Sequence, residues 1–188
     1  MINLQVKKIS EAMTFDKKDM FQRLTKLLEE QGELAEAILE HDIDNTIEES
    51  VDNLLVIASI SYLIDNDSMV LLEEILNQSF EKSMQIKLPE SDNAKFTAVL
   101  CDSVIYNVTI GVMSDMIQKY LKVGASKYKG TVTKEEVLDS IQNAVKALVN
   151  LMTFSFVENN IPNDTEIVND LILRKNEKWL EKSIEGNK

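Results

Sequence analysis

Leu54 to Ile64 reads LLVIASISYLI, broken only by two serines and a tyrosine, and it follows Glu49-Ser50-Val51-Asp52 directly. A helix that is apolar all round is normally buried. Residues three, four and seven apart share one side of a helix. Asp52 then lies above Val56 and Leu63, and Glu49 above Val56 and Ile60. Both carboxylates continue a stripe that belongs inside the protein. An unpartnered buried carboxylate is very costly. It must be protonated, paired with a base, or bound to a cation.

The rest of the chain reads as helix as well. Five glycines and two prolines in 188 residues are few for the turns of a sheet protein. Between about Phe15 and Glu40, Leu24, Leu27, Leu28, Leu34, Ala35 and Ile38 share one side. Asp42 to Asn45 read as a turn with a helix start, Ile47 to Ile64 as a second helix, and Met69 to Lys87 as a third. Pro89 and the polar residues Glu90 to Asn93 form the clearest linker. A long helix is expected from Lys95 to about Val123. Thr133 and Glu136 have capping-box spacing for a helix that runs to about Val157. Pro162-Asn163 precede a last helix over about Thr165 to Ile184. The fold class is all-α, a helical bundle.

On the first helix Glu30 and Glu33 form another acid pair at i, i+3. By periodicity alone this pair reads as a solvated face, because Glu29, Glu33, Glu36 and Glu40 fall opposite the leucines and Glu30 sits at the border. The buried character of the second helix changes that weighing. Two antiparallel helices can bring Glu30, Glu33, Glu49 and Asp52 to one point. Arg23 and Lys26 stand a full turn or more before Glu30, so a cation is the expected partner. Carboxylate oxygens suit Mg²⁺ or a similar hard ion, which keeps waters and accepts phosphate oxygens. Gly32 is read as a point of close approach for a helix or ligand.

A net charge of −12 argues against nucleic acid as a partner. One cysteine, Cys101, excludes an intrachain disulfide, and one histidine, His41, makes a zinc site improbable. No signal peptide or apolar run of membrane-spanning length stands out, so no membrane partner and a cytoplasmic location are expected. His41 is read as a structural helix end, and Tyr106 and Trp179 as core. Lys82 and Lys87, and the cluster Lys119, Lys122, Lys127 and Lys129, are read as solvated charges that could also meet phosphate.

An internal repeat is visible. Glu136-Val137-Leu138-Asp139 follows Glu49-Ser50-Val51-Asp52 at an offset of 87, and Val168-Asn169 follows Leu76-Asn77 at 92. Gly124 follows Gly32 at the same offset of 92, which places Lys122 and Ala125 where Glu30 and Glu33 would be. The expected organisation is a repeat with the acid site over 1–88, a linker over 89–94, and a degenerate repeat over 95–188.

LLEEQGELAEAI followed by EESVDNLLVIA resembles the MazG-like branch of the all-α nucleoside triphosphate pyrophosphohydrolases, whose signature is E-x-x-E, a gap, then E-x-x-D. The resemblance covers roughly residues 20 to 86. A paired active and degenerate repeat is similar to the single-chain arrangement of the dimeric dUTPases in the same superfamily. Asn53 departs from the family pattern, which usually continues with an apolar residue after the acid. The resemblance implies hydrolysis of an NTP or dNTP to the monophosphate and pyrophosphate, with Mg²⁺ (or Mn²⁺) held by Glu30, Glu33, Glu49 and Asp52. One of these, or Glu29, would orient the attacking water. Asn77 and Lys82 would touch the phosphates, and a homodimer is expected. A phosphoribosyl-ATP-type substrate, or a non-catalytic acidic interaction protein, stays open at this point.

Overall fold

The computed structural model describes Leu4 and residues 18–83, 87–122, 132–158 and 165–185. The described residues form six helices and no strand: α1 (Lys18–Leu39), α2 (Ile43–Ile64), α3 (Ser68–Ser83), α4 (Asp92–Leu121), α5 (Lys134–Glu158) and α6 (Thr165–Glu185). The expected breaks all fall at or near element ends. Two helices begin earlier than their apolar periodicity does, because side chains cap them there. Asp42 accepts from the Asn45 N–H at 3.0 Å and starts α2 four residues ahead of Ile47. Ser91 accepts from the Ala94 N–H at 3.3 Å and starts α4 inside the stretch read as linker. The Thr133–Glu136 capping box forms in both directions, at 2.8 and 3.2 Å.

The α1–α2 turn takes three residues, which forces the two helices to lie antiparallel. His41 turns the chain with a left-handed φ of 56°. The N–H groups of His41 and Asp42 close back on the carbonyls of Ile38 and Ala37, a Schellman-type ending. The His41 ring stacks on Phe96 at 4.2 Å, which ties the turn to α4.

The centre of the bundle is α2 against α5. Every residue from Ser50 to Ser61 is buried, as the apolar run requires. On α5, Val145, Leu148, Val149 and Met152 are fully enclosed. α1 flanks α2, α4 packs along α5, and α3 lies against α5 and α2. α6 closes over α2. One hydrophobic core runs from Leu4 to Ile172, so both halves of the chain share it. An ion pair of 2.8 Å between Asp65, the C-cap of α2, and Lys134 joins the halves at the surface.

α4 differs from the other helices. Val104, Ile105, Val108 and Val112 are 48–62% exposed. By length and composition α4 is apolar enough to cross a membrane, with a mean hydropathy of 1.5 over eighteen residues. This corrects the sequence reading, which looked for an unbroken apolar run. Polar residues, Asp102 among them, interrupt α4, yet the many valines and isoleucines keep its mean hydropathy high. Its other face is in the bundle, through Tyr106, Ile110, Met113 and Ile117.

Candidate metal centre on the first helical hairpin

Glu30 lies nine residues before Leu39, the end of α1, and Asp52 nine residues after Ile43, the start of α2. At about 1.5 Å of rise per residue, equal offsets bring the two level across an antiparallel hairpin. Glu49 sits about one turn nearer the turn. Ligand oxygens of Glu30, Glu49 and Asp52 lie within 4.8 Å of one another. Glu30 and Asp52 are buried, at 3% and 8% exposure. Glu33, the fourth acid of the motif, faces solvent and is not in this group. The buried stripe of α1 runs through Leu27, Glu30, Leu34 and Ile38, and Glu33 falls to its side.

Two lysines pair with two of the three acids, Glu30 and Asp52, contrary to the expectation that no base is in reach. Lys26 reaches one turn along α1 to Glu30 at 2.6 Å and to Glu29 at 3.0 Å. Lys175, from α6, donates a short hydrogen bond to Asp52 and lies 3.6 Å from Glu48. The Lys26 contact was legible as an i, i+4 pair. The Lys175 contact has no local signal, since the partners are 123 residues apart.

Burial dominates the electrostatics. It pushes the Glu30 and Asp52 carboxyls above their ordinary values, against the hydrogen bonds from Lys26 and Lys175. It pushes Glu49 up to about 7, with the Asp52 charge adding to the rise and Lys175 opposing it. Burial also disfavours the two ammonium groups, but their carboxylate partners outweigh it and hold both above the usual lysine value. Glu49 Oε2 is buried and has no hydrogen-bond partner among the described residues. A buried acceptor without a donor fits a cation better than it fits any neighbouring side chain. The donor set, all carboxylate oxygen, suits Mg²⁺ or Mn²⁺.

The residue that departs from the family pattern has a clear task. Asn53 is fully buried. Its amide nitrogen donates to the backbone carbonyls of Glu30 at 2.9 Å and Glu49 at 2.8 Å. Its oxygen accepts from the Tyr106 hydroxyl at 2.8 Å. Next to these, Gln31 donates to Asn107 at 2.9 Å. Burial, and secondarily the Glu30 charge, hold the Tyr106 phenol well above its ordinary value, so it stays a donor.

The remaining expected contacts are not brought into the cluster. Asn77 donates to the Glu73 carbonyl one turn back at 2.7 Å, and Lys82 is exposed. Gly32 is exposed, and a Cβ there would meet nothing within 4 Å, so no helix approaches it. Lys119 pairs with Asp115. Lys127, Lys129 and the Trp179 side chain lie outside the described residues. Glu136 and Asp139 share a groove of about 380 Å³ with Val108, Thr109, Val112 and Met116. Lys122, which the sequence offset sets opposite this pair, instead ends α4 in a left-handed conformation, with φ 55°. Ala125 lies outside the described residues.

The family model of the MazG nucleotide pyrophosphohydrolase domain matches residues 20–87, the stretch that holds the α1–α2 hairpin and α3. No curated protein and no solved structure matches the chain.

Proposed function

We propose that this chain, whose residues 20–87 carry a MazG nucleotide pyrophosphohydrolase domain, is a Mg²⁺-dependent hydrolase of nucleoside triphosphates. The observation that carries the reading is the trio Glu30, Glu49 and Asp52, converging from two helices around an unpartnered buried oxygen. These three would hold the cation, with Mn²⁺ as a substitute. Glu33, outside this trio but with a charge that bears on Glu30 and Glu49, would be the fourth ligand of the set. When bound, the ion supplies charge neutralisation at the phosphate oxygens and lowers the pKa of a bound water.

The chain's own groups do the rest. In the proposed reaction, water adds to the α-phosphorus and the bond to the α–β bridging oxygen breaks. The products are a nucleoside monophosphate and pyrophosphate. A carboxylate must take the proton from water. Glu29, exposed and held by Lys26, and the acids of the cluster are the candidates. Lys26 and Lys175 pair with Glu30 and Asp52 while no cation is bound, and their ammonium groups would meet incoming phosphate charge. Asn77 and Lys82 on α3 are assigned a weaker part in phosphate binding.

On this reading residues 95–188 are a second, degenerate repeat. In support, the α4 residues that share a groove with Glu136 and Asp139 are apolar or neutral. The bare stripe Val104, Ile105, Val108 and Val112 is assigned to a second copy of the chain, giving a homodimer. Light scattering on the purified protein tests this directly, with a monomer as the contrary result.

Phosphorus NMR of a turnover mixture tests the reaction. Pyrophosphate and a monophosphate are expected in the presence of Mg²⁺, and neither with chelator. Orthophosphate and a diphosphate would exclude it. Phosphoribosyl-ATP as the preferred substrate would move the assignment to a related pyrophosphohydrolase.

A further inference from the structure

We infer that Asn53 and Tyr106 are positioning residues through which the second half of the chain sets the geometry of the acid cluster. The inference rests on the proposed metal-dependent reaction and adds to it a support that lies outside the matched domain. Asn53 Nδ2 donates to the backbone of Glu30 on α1 and of Glu49 on α2. Asp52 is its neighbour in the chain. One side chain is therefore bonded or joined to all three acids of the trio. Two carbonyls can only accept, so the amide must turn its nitrogen to them. Its oxygen is left for the Tyr106 hydroxyl, which must donate.

Tyr106 is 1% exposed and sits on α4, among Ile110, Met113 and the rest of the shared core. The adjacent Asn107 accepts from Gln31, the residue after Glu30. Two consecutive residues of α4 thus hold the residues that follow Asp52 and Glu30. An apolar residue at position 53 could fill space there, but it could not clamp the α1 and α2 backbones at a fixed spacing. Partners of this kind orient ligands, and losing one commonly weakens metal binding or activity on the order of 10- to 100-fold.

The test is calorimetric binding of Mn²⁺ to the full chain, with melting curves in chelator and in Mn²⁺. Tyr106→Phe keeps the ring and removes only the hydroxyl. Asn53→Leu restores a family-like residue. Each variant is expected to bind Mn²⁺ on the order of 10- to 100-fold more weakly than the wild type. Because the two act through one hydrogen bond, the double variant is expected to be no weaker than the worse single one. The rise in melting temperature on adding Mn²⁺ shrinks in each. A merely structural role would lower the melting curves with and without metal alike and leave Mn²⁺ affinity unchanged, and that result overturns the inference. Fully additive losses in the double variant overturn the coupling. If Asn53→Leu does not fold, Tyr106→Phe alone still decides. A wild-type protein that binds no Mn²⁺ removes the metal-centre reading itself, and the inference with it.

Discussion

Lys175 on α6 is ion-paired with Asp52 on α2, so the acid cluster of the first hairpin is held by a cation that the last helix supplies. The side chains are only 15% and 12% exposed. On the proposed function, a metal ion held by Asp52 would compete with this ammonium. The lysine would then stabilise the protein without metal and oppose metal binding.

Lys175→Met should therefore have opposite effects on the two states. A hydrogen bond to a charged group contributes about 1.5–3 kcal/mol. In a chain of this size that is roughly 3–12 °C of melting temperature. The variant should melt lower by about that amount in chelator. It should bind Mn²⁺ more tightly, and the gap to the wild type should narrow at saturating metal. Melting curves and calorimetry check it. An equal loss in both conditions would mean that Lys175 and the ion do not compete.

The metal-free protein should lose stability as pH rises from about 4.5 to about 7. Glu49 has its folded value raised from 4.5 to about 7, so between these values the folded state holds a proton that the unfolded state has released. Its contribution is fully present below pH 4.5 and is lost as pH rises through 7. The Glu30 and Asp52 carboxyls are raised as well and act in the same direction. Glu49→Gln cannot ionise and should flatten the fall. Melting temperatures of both proteins in chelator from pH 4.5 to 8 measure it, and parallel curves would exclude Glu49 as the source.

Gly32→Ala should stabilise the protein by about 1 kcal/mol, or roughly 2–4 °C, because glycine inside a helix is disfavoured by that amount. The added methyl group meets nothing within 4 Å. Activity should be unchanged. A stable variant with lost turnover would show that the substrate passes close to this position.

Asp52→Ala should lower kcat at least on the order of 100-fold, as loss of a charge aimed at the reacting group does. Glu136→Ala combined with Asp139→Ala should keep most of the activity. Its stability should fall by on the order of 1 kcal/mol, since Glu136 closes the Thr133 capping box. Equal losses of turnover would mean that the second acid pair takes part in the reaction.

The all-α class and the helix order were legible in the sequence because each is a local pattern, and so were the two acid pairs, of whose four members the fold brings Glu30, Glu49 and Asp52 together. The apolar run after Asp52 demanded burial, and burial demanded partners for Glu49 and Asp52. Capping chemistry at Thr133 was equally local, and Lys26, one turn from Glu30, could have been read by the same rule. No helix approaches Gly32, because glycine in a helix marks close packing only where a neighbour is there to use it, and the neighbour is set by the tertiary packing. What tertiary structure alone decided is which distant groups arrive at the cluster. Lys175 and Tyr106 lie far along the chain from the hairpin, and they reach Asp52 and Asn53 because α6 and α4 pack on it. It also decided that Glu30, which periodicity leaves at the border of the apolar face, is enclosed, while Glu33 stays on the solvated side that periodicity gives it. That choice depends on how far α1 is rotated against α2, and the rotation is set by the whole core.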